Sequence, residues 1–521
     1  MVKTDKIIIL GGGSAGWMTA ATMIKMYPKK DITLIESPDT PIIGVGESTL
    51  GQINSWLSLL DIKDEDFMPH TDASYKLSIR FEDFYQKNDK GFHYPFGFPI
   101  EDNLSWGKQN WFIKKHLNKK ISNSDYANFI STNMALVNNN TIFKNEDNEL
   151  LGFDFKNDTA YHFDAIKFGA WLRDHYCIPR GVKHIVEDIK TIKTNKNGIV
   201  SLNKHKADLY FDCTGFKSVL MNKIGAKFKD YSDLLPNNKA WATRVPYKDK
   251  KKQLKPYTNC TAIENGWVWN IPNWERMGTG YVYSDKYVTD KTALKEFKNH
   301  LDSKGHDYSK SDFKNIKMRV GRFDDIFYKN VCSIGLSAGF IEPLESNGLL
   351  SVHEFLMYFL NVLERHDGIT QYDKDCFNEK CSKLFDKFTD FVAEHYAFSE
   401  RDDTKYWQDI SNRNFLKLAK SGAILENMTV RYDMIQNNDW FNSISGEHYI
   451  TTGMNFYSKT NHNIQDRGFN LDNILIENGY RDNLVKEWNN IAKSKTTLLQ
   501  FLKKHIHKKN EDINNGITWF R

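Results

Sequence analysis

Gly11, Gly13 and Gly16, in the stretch "GGGSAGW" at 11–17, carry the spacing G-x-G-x-x-G. The first glycine suits a tight turn, the second lets a backbone approach a pyrophosphate, and the third lets a helix pack closely against a strand. A helix opening at Ser14 and Ala15 would point its free amides at phosphate oxygens. Glu36 closes the apolar run "DITLIE", twenty-three positions after Gly13, where a carboxylate can accept both hydroxyls of an adenosine ribose. The chemistry implied is dinucleotide binding. A lone glycine pattern is weak support, and the strand before it, the helix after it and the terminal acid are what strengthen it.

Other residues carry reactive groups without such a frame. Glu342 and Glu345 stand three apart in "FIEPLESNG", a spacing that places two carboxylates on one helical face unless Pro343 breaks the helix. Lys76, in "SYKLSIRF", has the alternation of a strand or helix face, and read alone it is a solvated lysine. In "NGWVWNIPNW" at 265–274, Trp267 and Trp269 are spaced for one face of a strand, with Pro272 and Trp274 expected beyond its end. His93 lies in the aromatic, proline-broken "FHYPFGFP", expected to be irregular, and receives no catalytic role.

The elements that must position these groups begin with strand Lys6 to Leu10, a helix from about Ala15 to Met26 and strand 31 to 36, a compact βαβ unit. "ADLYFDCTGF" at 207–216 and "NVCSIGLSAGFIEPLESNGL" at 330–349 each run a strand into a small-residue turn; the second contains Ser337 and Gly339. Both can return to the nucleotide from far along the chain. The expected fold is therefore α/β, an FAD-binding Rossmann-like flavoprotein of the glutathione-reductase and aromatic-hydroxylase type, with a discontinuous nucleotide domain. Its pieces are placed at 1–90, 160–225 and 320–360, substrate and tunnel-forming regions at 91–159 and 226–319, and a mainly helical C-terminal region at 361–521. Such interruption suits FAD more than NAD. In "PIIGVGESTLGQINSWLSLL", Ser48 or Thr49 is expected to cap a helix and leave amides free toward the cofactor.

These residues resemble the flavin-dependent halogenases, the family that includes the tryptophan halogenases. "GWVWNIP" at 266–272 is similar to the family's G-W-x-W-x-I-P signature, and "FIEPLESNG" to its F-x-x-P-x-x-S-x-G signature. "DASYKLSIRF" at 72–81 resembles the segment holding the family's lysine, and "HYAFSERDDTKYW" at 395–407 resembles a helical family segment. The resemblance implies Lys76 and Glu345 as catalytic residues. It also implies a wall between flavin and substrate formed by Trp267, Trp269, Ile271 and Pro272, with Ser346 between the two regions. FAD is the implied cofactor, supplied as FADH2 by a separate flavin reductase; oxygen and a halide then yield hypohalous acid, which must reach an electron-rich aromatic at a distance. Lysine can receive it as an ammonium that polarises it or as an amine that forms a haloamine.

The segment 437–457 does not match the anchoring set of tryptophan halogenases, so an indole or another electron-rich aromatic is expected rather than free tryptophan. Halide, regiochemistry and carrier attachment stay open. An FAD-dependent aromatic monooxygenase and an FAD-binding protein without chemistry are the alternatives.

The formal charge of +5 over 521 residues is too small to mark a nucleic-acid binder. The six scattered cysteines suit reduced thiols and a cytoplasmic location, no apolar run spans a membrane, and no metal cluster is expected. The basic amphipathic tail reads as an exposed helix. A small aromatic substrate and the reductase are the expected partners; a homodimer is allowed rather than required.

Overall fold

In the computed structural model, residues 1–38, 46–97, 120–363, 368–421, 446–455 and 471–508 are described, with 111, 114, 115, 117 and 118 between them. The six-stranded sheet begins at strand Lys6–Leu10, whose side chains from Ile7 to Leu10 are buried. It pairs in parallel with Asp31–Glu36 on one side and Leu209–Asp212 on the other. Lys183–Val186 extends the first side, Val331–Ser333 and then Phe327–Tyr328 the second. Strands far apart in sequence thus stand side by side in one continuous sheet. Both faces of a parallel sheet must be covered. Helix Ser14–Met26, with a buried run from Gly16 to Ile24, packs here together with Ala165–Trp171 and Leu350–Leu363.

A second, seven-stranded sheet has the order Lys314–Lys317, Lys239–Pro246, Arg276–Tyr283, Gly266–Pro272, Tyr257–Ile263, Ser78–Glu82, Phe92–Pro95. Its pairs are antiparallel except Tyr257–Ile263 with Ser78–Glu82. Two expectations change here. Pro272 is the last strand residue, not a residue beyond it; its carbonyl, which proline retains, is used by the Ser74 hydroxyl at 2.6 Å. Phe92–Pro95 is a strand and not irregular, because it occupies a sheet edge, where a proline's missing N–H costs little.

A small three-stranded sheet places Ala160–Phe163 between Glu47–Ser48 and Ser74–Lys76. Leu77 carries the chain from this sheet into the seven-stranded one, its N–H donating to Pro256 and its carbonyl accepting from Phe96. Lys76 thus stands at the seam of two sheets. From Leu350 onward the regular elements among the described residues are helices: Leu350–Leu363, Gln371–Ala397, Lys405–Ser421, Glu447–Gly453, Leu471–Ser494 and Leu498–His505. Among the described residues no helix is long and apolar enough to cross a membrane, and all six cysteines are free thiols.

Candidate active site

The glycines at the mouth of the six-stranded sheet divide by what surrounds them. Gly11 has φ +115°, and a side chain there would overlap the Cys213 carbonyl at the end of the neighbouring strand. A Cβ on Gly16 would overlap the Gly11 carbonyl, so this pair fixes the turn against the helix. Gly13 differs, since a Cβ there would meet nothing within 4 Å. The helix beginning at Ser14 has no side-chain cap and no acidic residue in its first turn, so its positive end faces that open space. The Ser14 hydroxyl is already used on the Ala165 carbonyl at 2.9 Å. Ala15 lies against Gly335, where a Cβ would come within 2.9 Å of its own. Glu36 hangs over Gly12 and its Oε1 is 2.6 Å from His184 Nε2. An open approach at Gly13, an uncapped helix end and a carboxylate at the end of the second strand are the donor and acceptor set a dinucleotide requires.

Ser337 and Gly339 are fixed by contacts with neighbouring backbone. The Ser337 hydroxyl donates to the Gly215 carbonyl at 3.2 Å, and its own carbonyl accepts from Ser218 at 2.9 Å. A Cβ on Gly339 would stand 2.6 Å from the Gly321 carbonyl, a close strand contact.

Lys76 is fully buried. Its Nζ donates to the Thr49 carbonyl at 2.9 Å and to the Ser346 hydroxyl at 2.8 Å, and stands 4.7 Å from the centre of the Phe96 ring. Burial lowers its pKa to about 7; Glu345 and Cys260 oppose that shift without cancelling it. Ser346 reaches Lys76 from a left-handed backbone, φ 58°, a conformation disfavoured for serine and held by the turn around it.

Glu342 and Glu345, both fully buried, stand just before and at the end of the single turn Pro343–Glu345 and are used differently. Glu342 Oε2 accepts from Trp267 Nε1 at 2.8 Å, Tyr396 OH at 2.7 Å and Asn237 Nδ2 at 2.9 Å. It locks the tryptophan strand to helix Gln371–Ala397. Glu345 lies with Oε1 2.7 Å from His395 Nε2, close in distance but off the line of a well-formed hydrogen bond. Burial raises the Glu345 pKa, while His395 and then Lys76 pull it down. Trp267 and Trp269 share one face, ring centres 6.2 Å apart. Ile271 is buried on the same face, and Trp269 packs against Gly280.

Residues 6–467 match the family model described as tryptophan halogenase. The chain belongs to the tryptophan halogenase family. It is 33% identical to tryptophan 6-halogenase SttH of Streptomyces toxytricini over 441 residues, 78% of this chain and 81% of that one. The solved structure of VirX1 in its apo form is 36% identical with TM-score 0.83, covering 97% of this chain and 100% of the other. BrvH, a flavin-dependent halogenase from Brevundimonas sp. BAL3, is 26% identical with TM-score 0.81, covering 96% and 99%.

This member of the tryptophan halogenase family is an FADH2-dependent halogenating enzyme whose co-substrate is halide and whose reduced flavin comes from a separate reductase. Its geometry corrects one expectation. Ser48 and Thr49 do not cap the following helix, which starts at Ile53 behind Gln52. The Ser48 hydroxyl meets Thr258 Oγ1 at 2.6 Å and Ser346 Oγ at 3.0 Å, and Thr49 Oγ1 is shared with the backbone of Tyr161. His93 pairs with Ser78 at 3.0 Å, and burial pulls its pKa down to about 3, so it stays neutral. Trp274 stacks on His507 at 4.2 Å, outside the signature.

Sequence reading missed His395, His162, Thr258 and Phe96 as neighbours of the site. His395 opens the quoted "HYAF", and a histidine inside a helix otherwise packed with apolar residues was the available signal. About half of the segment 437–457 lies outside the described residues; within the described half, Tyr449 stacks on Tyr94 at 5.6 Å.

Proposed function

We propose that this halogenase delivers hypohalous acid to an indole-like, electron-rich aromatic at a site organised by Lys76 and Glu345. The observation that carries this reading is Lys76 itself, wholly buried with its Nζ tied to Thr49 and Ser346. Burying an amine next to a carboxylate, with no surface role, has an energetic cost that chemistry explains.

Reduced FAD, with oxygen and halide, supplies the hypohalous acid; Gly11, Gly13, Gly16 and Glu36 would hold the cofactor. Around Nζ, the Thr49 carbonyl and the Ser346 hydroxyl take two of the ammonium's three N–H groups beside the Phe96 ring, and the third is left for the substrate side. That set suits the ammonium, whose N–H polarises hypohalous acid and leaves its halogen electrophilic. The aromatic carbon attacks the halogen, the O–X bond breaks, and the oxygen leaves as water after gaining a proton from Lys76. Glu345, a stronger base than an exposed carboxylate because it is buried, accepts the proton lost as the ring regains aromaticity.

Trp267, Trp269, Ile271 and Pro272 supply bulk that keeps flavin and substrate apart. Trp267 is rigid because Glu342 holds its indole N–H. Tyr94 and Phe96, with ring centres 5.9 Å apart, line the aromatic side near Lys76 and favour a flat substrate. The relative SttH is a tryptophan 6-halogenase, and an indole is the core of that substrate. The free thiols fit a reducing compartment, and we place the enzyme in the cytoplasm.

The test supplies FAD, a reductase, halide and an aromatic panel, and identifies halogenated products by mass spectrometry. Halide-independent hydroxylation would instead identify a monooxygenase.

A further inference from the structure

Behind Lys76 the hydrogen bonds do not stop at Ser346. Ser346 Oγ lies 3.0 Å from Ser48 Oγ, Ser48 Oγ 2.6 Å from Thr258 Oγ1, and Thr258 Oγ1 3.0 Å from His162 Nε2. All five side chains from Lys76 to His162 are buried. They come from five segments: strand Ser74–Lys76, the turn after Glu345, strands Glu47–Ser48 and Ala160–Phe163 of the small sheet, and strand Tyr257–Ile263 of the large one. Pairing of both Ser48 and Ser74 with His162 in the small sheet fixes the histidine's place.

We infer that His162 and Thr258 are positioning residues that set the hydrogen-bonding state of Lys76 through the hydroxyls of Ser48 and Ser346. This rests on the reading of Lys76 given above. The direction follows from the far end. The Ser74 hydroxyl donates to the Pro272 carbonyl at 2.6 Å, so its oxygen faces His162 Nδ1, 3.4 Å away, as an acceptor. The Pro272 carbonyl also accepts from the imidazole. Nδ1 therefore carries the hydrogen, and Nε2 presents its lone pair to Thr258. Thr258 donates to His162 and accepts from Ser48, Ser48 accepts from Ser346, and Ser346 has only lone pairs left for Lys76. A hydroxyl that can only accept favours an ammonium over an amine, whose own lone pair would seek a donor.

The imidazole stays neutral, as burial and then the charge of Lys76 push its pKa well below the ordinary range. It orients the chain and does not store a proton. The titratable groups facing Lys76 are Glu345, Cys260 and His162, and Lys76 is the charge facing His162. Glu47, on the neighbouring strand, has its pKa raised by burial and then by Asp164. Breaking the chain frees the Ser346 hydroxyl to turn and donate to the amine, which stabilises the uncharged form. The lysine then loses its proton at lower pH.

The test follows the Nζ resonance of ¹⁵N-lysine in FAD-loaded enzyme through a pH titration, with Lys76 assigned by Lys76→Arg, alongside pH–rate profiles. In Thr258→Val, close in shape and without the hydroxyl, the Lys76 midpoint should fall by about half a pH unit or more, and the falling limb of the rate profile should move with it. Thr258→Ser should restore both. Ser48→Ala cuts the chain at another link and should give the same shift, so one poorly folded variant does not decide the matter. Wild-type midpoints in both Thr258→Val and Ser48→Ala, with any rate loss uniform across pH, would overturn the inference. Full directed activity in Lys76→Ala would overturn the role of Lys76 while leaving the NMR titration to judge the chain by itself.

Discussion

The Nζ of Lys76 donates to the hydroxyl of Ser346 at 2.8 Å, joining the seam between two sheets to a strained turn 270 positions later in the chain. Neither residue reaches solvent, and neither would be placed there by packing alone. The turn also carries Glu345 one residue earlier, so one short segment sets both groups of the site.

Replacing Lys76 by alanine should lower directed halogenation by about 10²- to 10⁴-fold. FAD binding, followed by flavin absorbance after gel filtration, should be unchanged, because Lys76 belongs to the small sheet and not to the glycine crevice.

With Lys76 titrating at about 7 and its ammonium as the working form, the turnover rate should fall as pH rises through that value. Stability should move the other way. Between about 7 and the ordinary 10.5 the unfolded chain holds the lysine proton and the folded chain does not, so unfolding takes up a proton. Relative to Lys76→Met, the wild type should gain up to about 1.4 kcal/mol per pH unit across that window, measured by urea denaturation. A flat difference would mean that Lys76 is solvated.

Gly13→Ala and Gly16→Ala should fail in different ways. The first adds a methyl to open space at the helix end, so the apo protein should melt normally while FAD affinity drops. The second drives a methyl into the Gly11 carbonyl and should lower the melting temperature of the apo protein itself. Calorimetry and flavin titration on both variants separate the two effects.

Glu342→Gln turns one acceptor of three hydrogen bonds into a group carrying its own N–H donors. It should destabilise the fold by about 1–3 kcal/mol, whereas Glu345→Gln should reduce turnover at nearly unchanged stability. Comparable stability losses in both would contradict the division of roles between these glutamates.

The βαβ opening was legible because its strand, glycine turn and helix are contiguous and each obeys a local rule; the structure places strand Lys6–Leu10 and helix Ser14–Met26 within a residue of that reading. The discontinuous return of strands Leu209–Asp212 and Val331–Ser333 was legible from apolar runs ending in glycine. Burial of Lys76 was not. A three-residue strand gives too little alternation to reveal its inner face, and read alone the lysine looks solvated. Its partners Thr49, Ser346 and Phe96 arrive from three other segments. Ser48 was misread as a cap because serine before an apolar helix is the usual cap signal, and only the pairing with Ala160–Phe163 shows it inside a sheet. The hydroxyl chain to His162 rests on such cross-strand register, which no single segment encodes.

The most direct measurement of guided halogenation at Lys76 is the yield and regiochemistry of halogenated aromatic product, made with FAD, a reductase and halide, for the wild type and Lys76→Ala side by side. The wild type should give one dominant regioisomer, and the variant only the trace mixture that free hypohalous acid gives. Equal yield and the same regioisomer from a variant that still binds FAD would contradict it.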